Sequence, residues 1–174
     1  MKKILSLAIV AISLVACNST AKKSNTDTKE AVTIQTVSVD NLLAQADDLV
    51  EKNIKVKGHV THTCKHSGKR CFLVGDNEQF TIRIEAGGKI TGFNRDLVGN
   101  TILVDGILKE RRLSKEYIDQ MEHEVQEKAQ EDGTAETCAT EMNNIKDMRA
   151  WMKSNNKDHY SIYFVEGLSY EVVE

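Results

Sequence analysis

Apolar and polar residues alternate from Ile54 to Cys64 (Ile-Lys-Val-Lys-Gly-His-Val-Thr-His-Thr-Cys), the period of two that a half-buried β-strand imposes on its side chains. A strand of this length needs hydrogen-bonding partners, and the rest of the chain must supply them. Gly58 falls near its middle, where a bulge or sharp bend fits. Further strands are predicted over residues 70–74 and 79–86, with turn chemistry from Gly75-Asp76-Asn77 between them. Residues 100–109, carrying Ile102, Leu103, Val104, Ile107 and Leu108, read as a fourth strand; residues 160–165, with room to extend to Tyr170, read as a fifth. Ahead of them, Leu42, Leu43, Ala46, Leu49 and Val50 recur at helical spacing within 39–50, with Asp40 as N-cap. Five strands behind a short helix favour a small closed sheet, because closure removes exposed edges. The expected class is mainly β with helices, an α+β fold.

About fifty residues with helical pattern separate the fourth and fifth strands, an insertion over 114–156. Ser114 is the expected N-cap, with Tyr117, Ile118, Met121 and Val125 on one stripe, and the pattern breaks near Asp132-Gly133. Cys138, Met142, Ile145, Met148 and Met152 then recur at steps of three and four. Two such stripes predict a helical hairpin packed on itself or on the barrel. Met and Cys at this spacing are soft ligands for a metal such as copper(I), but Met is also a common filler of irregular apolar gaps. Glu116, Asp119, Glu122, Glu124, Glu127 and Glu131 are dispersed around the first helix, as on a solvated face.

At the N-terminus, Lys2 and Lys3 precede an apolar run over 4–16 that is too short for a permanent span and has the form of a signal peptide. Leu14-Val15-Ala16-Cys17 resembles the lipobox of bacterial lipoproteins. That resemblance implies cleavage after residue 16, a diacylglycerol thioether on Cys17, and an acyl chain such as palmitate on its new amino group. Several chains anchor stably where one binds marginally. Asn18, rather than Asp, follows the cysteine, which favours the outer membrane over the inner. Residues 17–32 have almost nothing apolar to bury and are expected to form a disordered tether, leaving one domain over 33–174. Loss of Lys2 and Lys3 leaves 21 basic against 26 acidic residues, a net charge of −5. That balance argues against nucleic acid as a main partner, since phosphate binding rests on clustered cations.

Leu42-Leu43, Gly58-His59-Val60, the run Cys64-Lys65-His66-Ser67-Gly68-Lys69-Arg70, Leu97-Val98-Gly99 and Asp105-Gly106 together resemble small OB-fold lipoproteins of Bacteroidota-type bacteria. The resemblance implies a fold and an envelope address, with membrane contact through the N-terminal lipid and an unknown envelope ligand or protein partner. OB-folds bind oligonucleotides, oligosaccharides or proteins on the face of strands two and three, so the fold alone does not choose among them.

One constellation stands out near the first hairpin: His59, His62, Cys64, His66 and Cys71. His62 and Cys64 are expected on one face, about 6.7 Å apart between alpha carbons, with His59 on the other. If Ser67-Gly68 is a two-residue turn, Cys64 faces Cys71 directly. That register opens two possibilities: a disulfide, which an oxidising compartment would maintain, or a zinc or copper site built from His62, Cys64, Cys71 and His66. Free thiols beside solvated histidines are the third. Lys55, Lys57, Lys65, Lys69 and Arg70 make the hairpin locally basic, as lysines guarding a sheet edge would. Phe72 and Phe80 are the aromatics available for a stacking face on strands two and three, and both also suit the core.

No nucleophile elbow, phosphate loop, His-Glu-x-x-His or Cys-x-x-Cys occurs, so a noncatalytic binding module is expected, with no cofactor unless the hairpin holds zinc or copper; the alternative is a metal-handling or thiol-redox protein using His62, Cys64, His66 and Cys71. Intact-mass analysis of the protein from its native host should find residues 1–16 removed and lipid on Cys17, and Cys17→Ser should leave the leader in place.

Overall fold

The computed structural model describes residues 35–131 and 135–173. The leader 1–16, Cys17 and its lipobox, the tether 17–32 and the break at Asp132-Gly133 lie outside the described residues. In chain order the elements are β1 Thr36–Ser38, α1 Val39–Ala44, α2 Ala46–Leu49, β2 Asn53–Thr63, β3 Arg70–Val74, β4 Thr81–Ala86, a 3-10 turn Arg95–Leu97, β5 Thr101–Ser114, α3 Lys115–Glu131, α4 Ala135–Ser154 and β6 His159–Val173.

Strand order is β2-β3-β4-β6-β5, and β2 pairs again with β5, so five strands close into a barrel. All neighbours are antiparallel except β4 and β6, which run parallel with Arg83 opposite Phe164 and Ala86 opposite Gly167. This is the α+β barrel of the expected class, mixed in strand direction, with two helices inserted before the last strand. The three-residue β1 lies parallel to β2 at Lys55–Lys57. Alternation fills the inside: Ile54, Val56 and Val60 from β2, Leu73 from β3, Ile82 and Ile84 from β4, and Ile102, Val104 and Leu108 from β5 are all buried. Val39 and Leu42 of α1 join the same core.

The opening helix departs from the sequence expectation in two ways. It breaks at Gln45 into two short pieces, and its N-cap is Ser38, whose hydroxyl accepts the Asn41 N–H (3.3 Å) from an extended residue. Asp40 instead reaches across to accept the Asn77 N–H (3.4 Å). Gly58 causes no bulge either. It faces inward where a Cβ would lie 2.9 Å from Val39 and 2.8 Å from the Val74 carbonyl, and the register shift comes later, between Val60 and His62.

Beyond the barrel, β5 and β6 continue as a two-stranded ribbon to Ser114 and His159. The α3–α4 hairpin packs there and makes a second core from Leu113, Ile118, Val125, Cys138, Ile145 and Met152, flanked by Met142, Met148, Tyr160 and Ile162. Ser114 caps α3 as expected, accepting the Tyr117 N–H at 3.2 Å. Tyr117 leaves the predicted stripe and is 45% exposed, whereas Ile118 is wholly buried. The Met and Cys stripe of α4 is therefore a packing face.

A polar clasp joins the opening helices to the start of β6. Lys157 Nζ meets both carboxylate oxygens of Asp47 (2.6 and 2.7 Å), and the Tyr163 hydroxyl donates to the same group. Beside it the nearly buried Glu110 carboxylate accepts from Ser161 Oγ (2.6 Å) and Arg112 Nε (2.8 Å). Burial works to raise the Glu110 pKa, but those two bonds and the Arg112 charge hold it below the usual carboxylate value.

At Gly106 a Cβ would fall 2.5 Å from a Val165 methyl and 2.6 Å from the Glu166 carbonyl oxygen, so β5 and β6 approach too closely for any side chain. Gly106→Ala should lower unfolding free energy by about 1–3 kcal/mol in urea titration, the cost of overpacking. Gly92→Ala, whose nearest new contact is an ordinary 3.4 Å, should stay within about 0.5 kcal/mol of the parent.

Candidate functional site

The first hairpin is joined by residues 64–69 rather than by a two-residue turn, and this changes the register of the whole cluster. Gly68 takes a left-handed conformation (φ 62°), its N–H bonds the Cys64 carbonyl (3.0 Å), and its own carbonyl accepts the Phe93 N–H (2.7 Å). Lys69 Nζ donates to the Thr91 carbonyl at 2.7 Å, so the loop is pinned to the segment following β4. With the extra residue of the bulge near Thr61, Cys71 faces Thr63, and the Cys64 N–H bonds the Arg70 carbonyl (2.9 Å). The expected direct opposition of Cys64 and Cys71 does not form, and both are free thiols.

Their environments differ sharply. Cys71 is wholly buried in the barrel core, and desolvation pushes its thiol up to about 12. Cys64 is half-buried at the loop. The backbone N–H of Ser67, its hydroxyl at 3.6 Å and the backbone N–H of His66 favour the thiolate there, bringing the pKa down to about 7. His62 and His66 are exposed, and His62 turns its ring to Phe72 (centroids 5.7 Å apart). Among the described residues no three His, Cys, Asp or Glu side chains converge to hold a metal ion. The zinc or copper set of His62, Cys64, His66 and Cys71 is therefore not assembled, because Cys71 points inward while both histidines point out.

Register places a different group on the outer face of the barrel. His62 lies opposite Phe72, Phe72 opposite Arg83, Arg83 opposite Phe164, and Phe164 opposite Lys109. One row thus crosses five strands. The Arg83 guanidinium sits over the Phe164 ring, 5.0 Å from its centroid, and bonds Glu85 at 3.1 Å. Its Nε is buried and finds no acceptor among the described residues. Phe72 and Phe164 are half-buried, and Phe80, at the end of the β3–β4 connection, is 47% exposed. Neither Phe72 nor Phe80 belongs to the core. Phe164 and Arg83 were missing from the sequence reading because only the parallel β4–β6 register, over eighty residues apart in sequence, brings them together.

The basic patch is weaker than its composition suggests. Lys55 pairs with Asp105 (3.2 Å), Arg70 with Glu85 (3.7 Å), and Lys69 is spent on the Thr91 carbonyl. Edge protection does not explain Lys55 and Lys57 either, since β1 and β5 hydrogen-bond both flanks of β2 at these positions. The outer face combines two phenyl rings, an imidazole and a partly exposed guanidinium paired with Glu85, with Lys55 and Arg70 nearby also paired. Such a surface can stack on a flat ring or an apolar side chain and donate hydrogen bonds at its rim.

No family model matches the chain, and no curated protein matches it. Among solved structures, a similar one is that of a protein from Leishmania major Friedlin described as an aspartyl-tRNA synthetase, at 12% identity and a TM-score of 0.41. The match covers 92% of this chain and 23% of that one, so the chain spans about a quarter of that protein's length.

Proposed function

We propose that this chain is a lipid-anchored lipoprotein of the bacterial cell envelope, held at the outer membrane through Cys17, whose barrel is a noncatalytic binding module. The observation that carries the binding role is the outward row His62, Phe72, Arg83 and Phe164 across β2, β3, β4 and β6. Half-exposed rings on a sheet face have forgone part of the burial that would stabilise them, and a ligand that covers them recovers it. No helix among the described residues is long and apolar enough to cross a membrane.

The occupant is a molecule with a flat or ring-shaped apolar face, such as an unstacked base, a sugar or an aromatic side chain. Amide spectra of the soluble domain titrated with single-stranded oligothymidylate at low salt, and separately with a chitooligosaccharide, test the face directly. Shifts should map to β3, β4 and the centre of β6 for at least one probe and disappear in Phe72→Ala/Phe164→Ala. Shifts elsewhere, or none with either probe, would remove the reading. Removing one stacking ring should cost about 1–3 kcal/mol of affinity.

Thiol chemistry is the second reading, favoured by the Cys64 environment alone. A cysteine that is substantially thiolate near neutral pH is ready to attack a disulfide or an electrophile. Iodoacetamide should label Cys64 in the native protein at a rate that rises with pH and is half-maximal near 7, while Cys71 stays unlabelled until unfolding. A Cys64 profile centred near the ordinary value of about 8.5 would show that the loop does not activate it.

A further inference from the structure

We propose that the groove between the opening helices and the helical hairpin is a binding site for an organic cation, an ammonium or guanidinium group. The groove has a volume of about 690 Å³ and is walled by Asp47 and Asp48 of α2, Phe80, Trp151 of α4, and Tyr160 and Tyr163 of β6. Four of the chain's nine aromatic residues meet there, and among the described residues no Lys, Arg or His lines it, although Lys157 bonds Asp47 at one end. Lys157 neutralises Asp47 there, and beyond it the electron-rich ring faces and Asp48 favour a positive ligand over an anion.

The protein already uses this chemistry at one end of the groove. Lys157 Nζ sits 5.5 Å from the Trp151 ring centroid while bonding Asp47 at 2.6 Å, a carboxylate and a ring sharing one ammonium. Trp151 and Tyr160 meet edge to face, centroids 5.2 Å apart, which fixes the second ring. Asp48 and Phe80 repeat the ingredients without an internal cation. Phe80 is 47% exposed, and the exposed Asp48 lines the groove next to Asp47, which Lys157 and Tyr163 already occupy. This site is separate from the barrel-face row and does not rest on it.

Trp151 is the only tryptophan, so its emission reads the groove directly. The full chain is titrated with choline, with arginine methyl ester, and with 3,3-dimethylbutan-1-ol, which has the shape of choline without its charge. A saturable change with at least one cation and none with the alcohol is expected, and the two cations distinguish an ammonium from a guanidinium preference. Asp48→Asn and Phe80→Ala should each weaken the response about 3- to 30-fold, the range for losing an ion–ring or ion-pair contact. Both positions are at the surface, and far-UV circular dichroism verifies that the variants fold. Phe72→Ala/Phe164→Ala should leave the titration unchanged, so loss of barrel-face binding and loss of this site are read apart. No saturable response, an equal response to the neutral alcohol, as an apolar docking groove would give, or indifference to both groove substitutions would overturn the proposal.

Discussion

Parallel pairing of Arg83–Ala86 with Phe164–Gly167 is the contact on which the rest of the structure depends. Until the last strand slots between β4 and β5, the sheet has two open edges and its apolar interior faces water. The barrel-face row and the groove both wait on the same event. Phe164 comes under Arg83, Tyr160 and Tyr163 reach the groove, and Lys157 reaches Asp47 only when β6 is in place. Pairings across such long sequence separations are slow to form because loop closure costs entropy before the contacts repay it. The antiparallel β5–β6 pairing offsets this, since the helical hairpin brings the two ribbon ends together from Ser114 and His159 inward.

That arrangement explains how a barrel of this size carries an insertion of two helices. The strands that flank the insertion do not stop at the barrel rim. Their extensions turn Leu113, Tyr160 and Ile162 toward α3 and α4, giving the helices an apolar surface of their own. The two cores are built differently. The barrel interior is mostly Val, Ile and Leu, whose branched side chains suit a pleated surface, whereas the hairpin uses Met121, Met142, Met148 and Met152 to fill the irregular gap between helices and ribbon.

Much of this was legible in the residues. Period-two alternation located β2 and β5, and steps of three and four located both inserted helices with the Ser114 cap. Those signals are local, set by the repeat of the strand or helix itself. What failed was what depends on counting residues across a turn. A bulge near Thr61 and a six-residue connection move Cys64 away from Cys71, and alternation cannot reveal either. The cysteine and histidine cluster was therefore compact in sequence and dispersed in space, while His62, Phe72, Arg83 and Phe164 were dispersed in sequence and adjacent in space. Phe80 and Tyr117 fit apolar patterns yet face solvent, because hydrophobic character sets a preference for burial without assigning a neighbour.

The short β1 strand has a consequence for life in a crowded setting. Three residues are too few to add much stability, yet they occupy the flank of β2 at Lys55–Lys57 that β3 does not reach, and β5 covers the other side. Copies of this domain brought close together find that stretch of main chain already satisfied. Self-association by strand exchange, the common hazard when sheet proteins are concentrated on a surface, is thereby closed off along this stretch of β2.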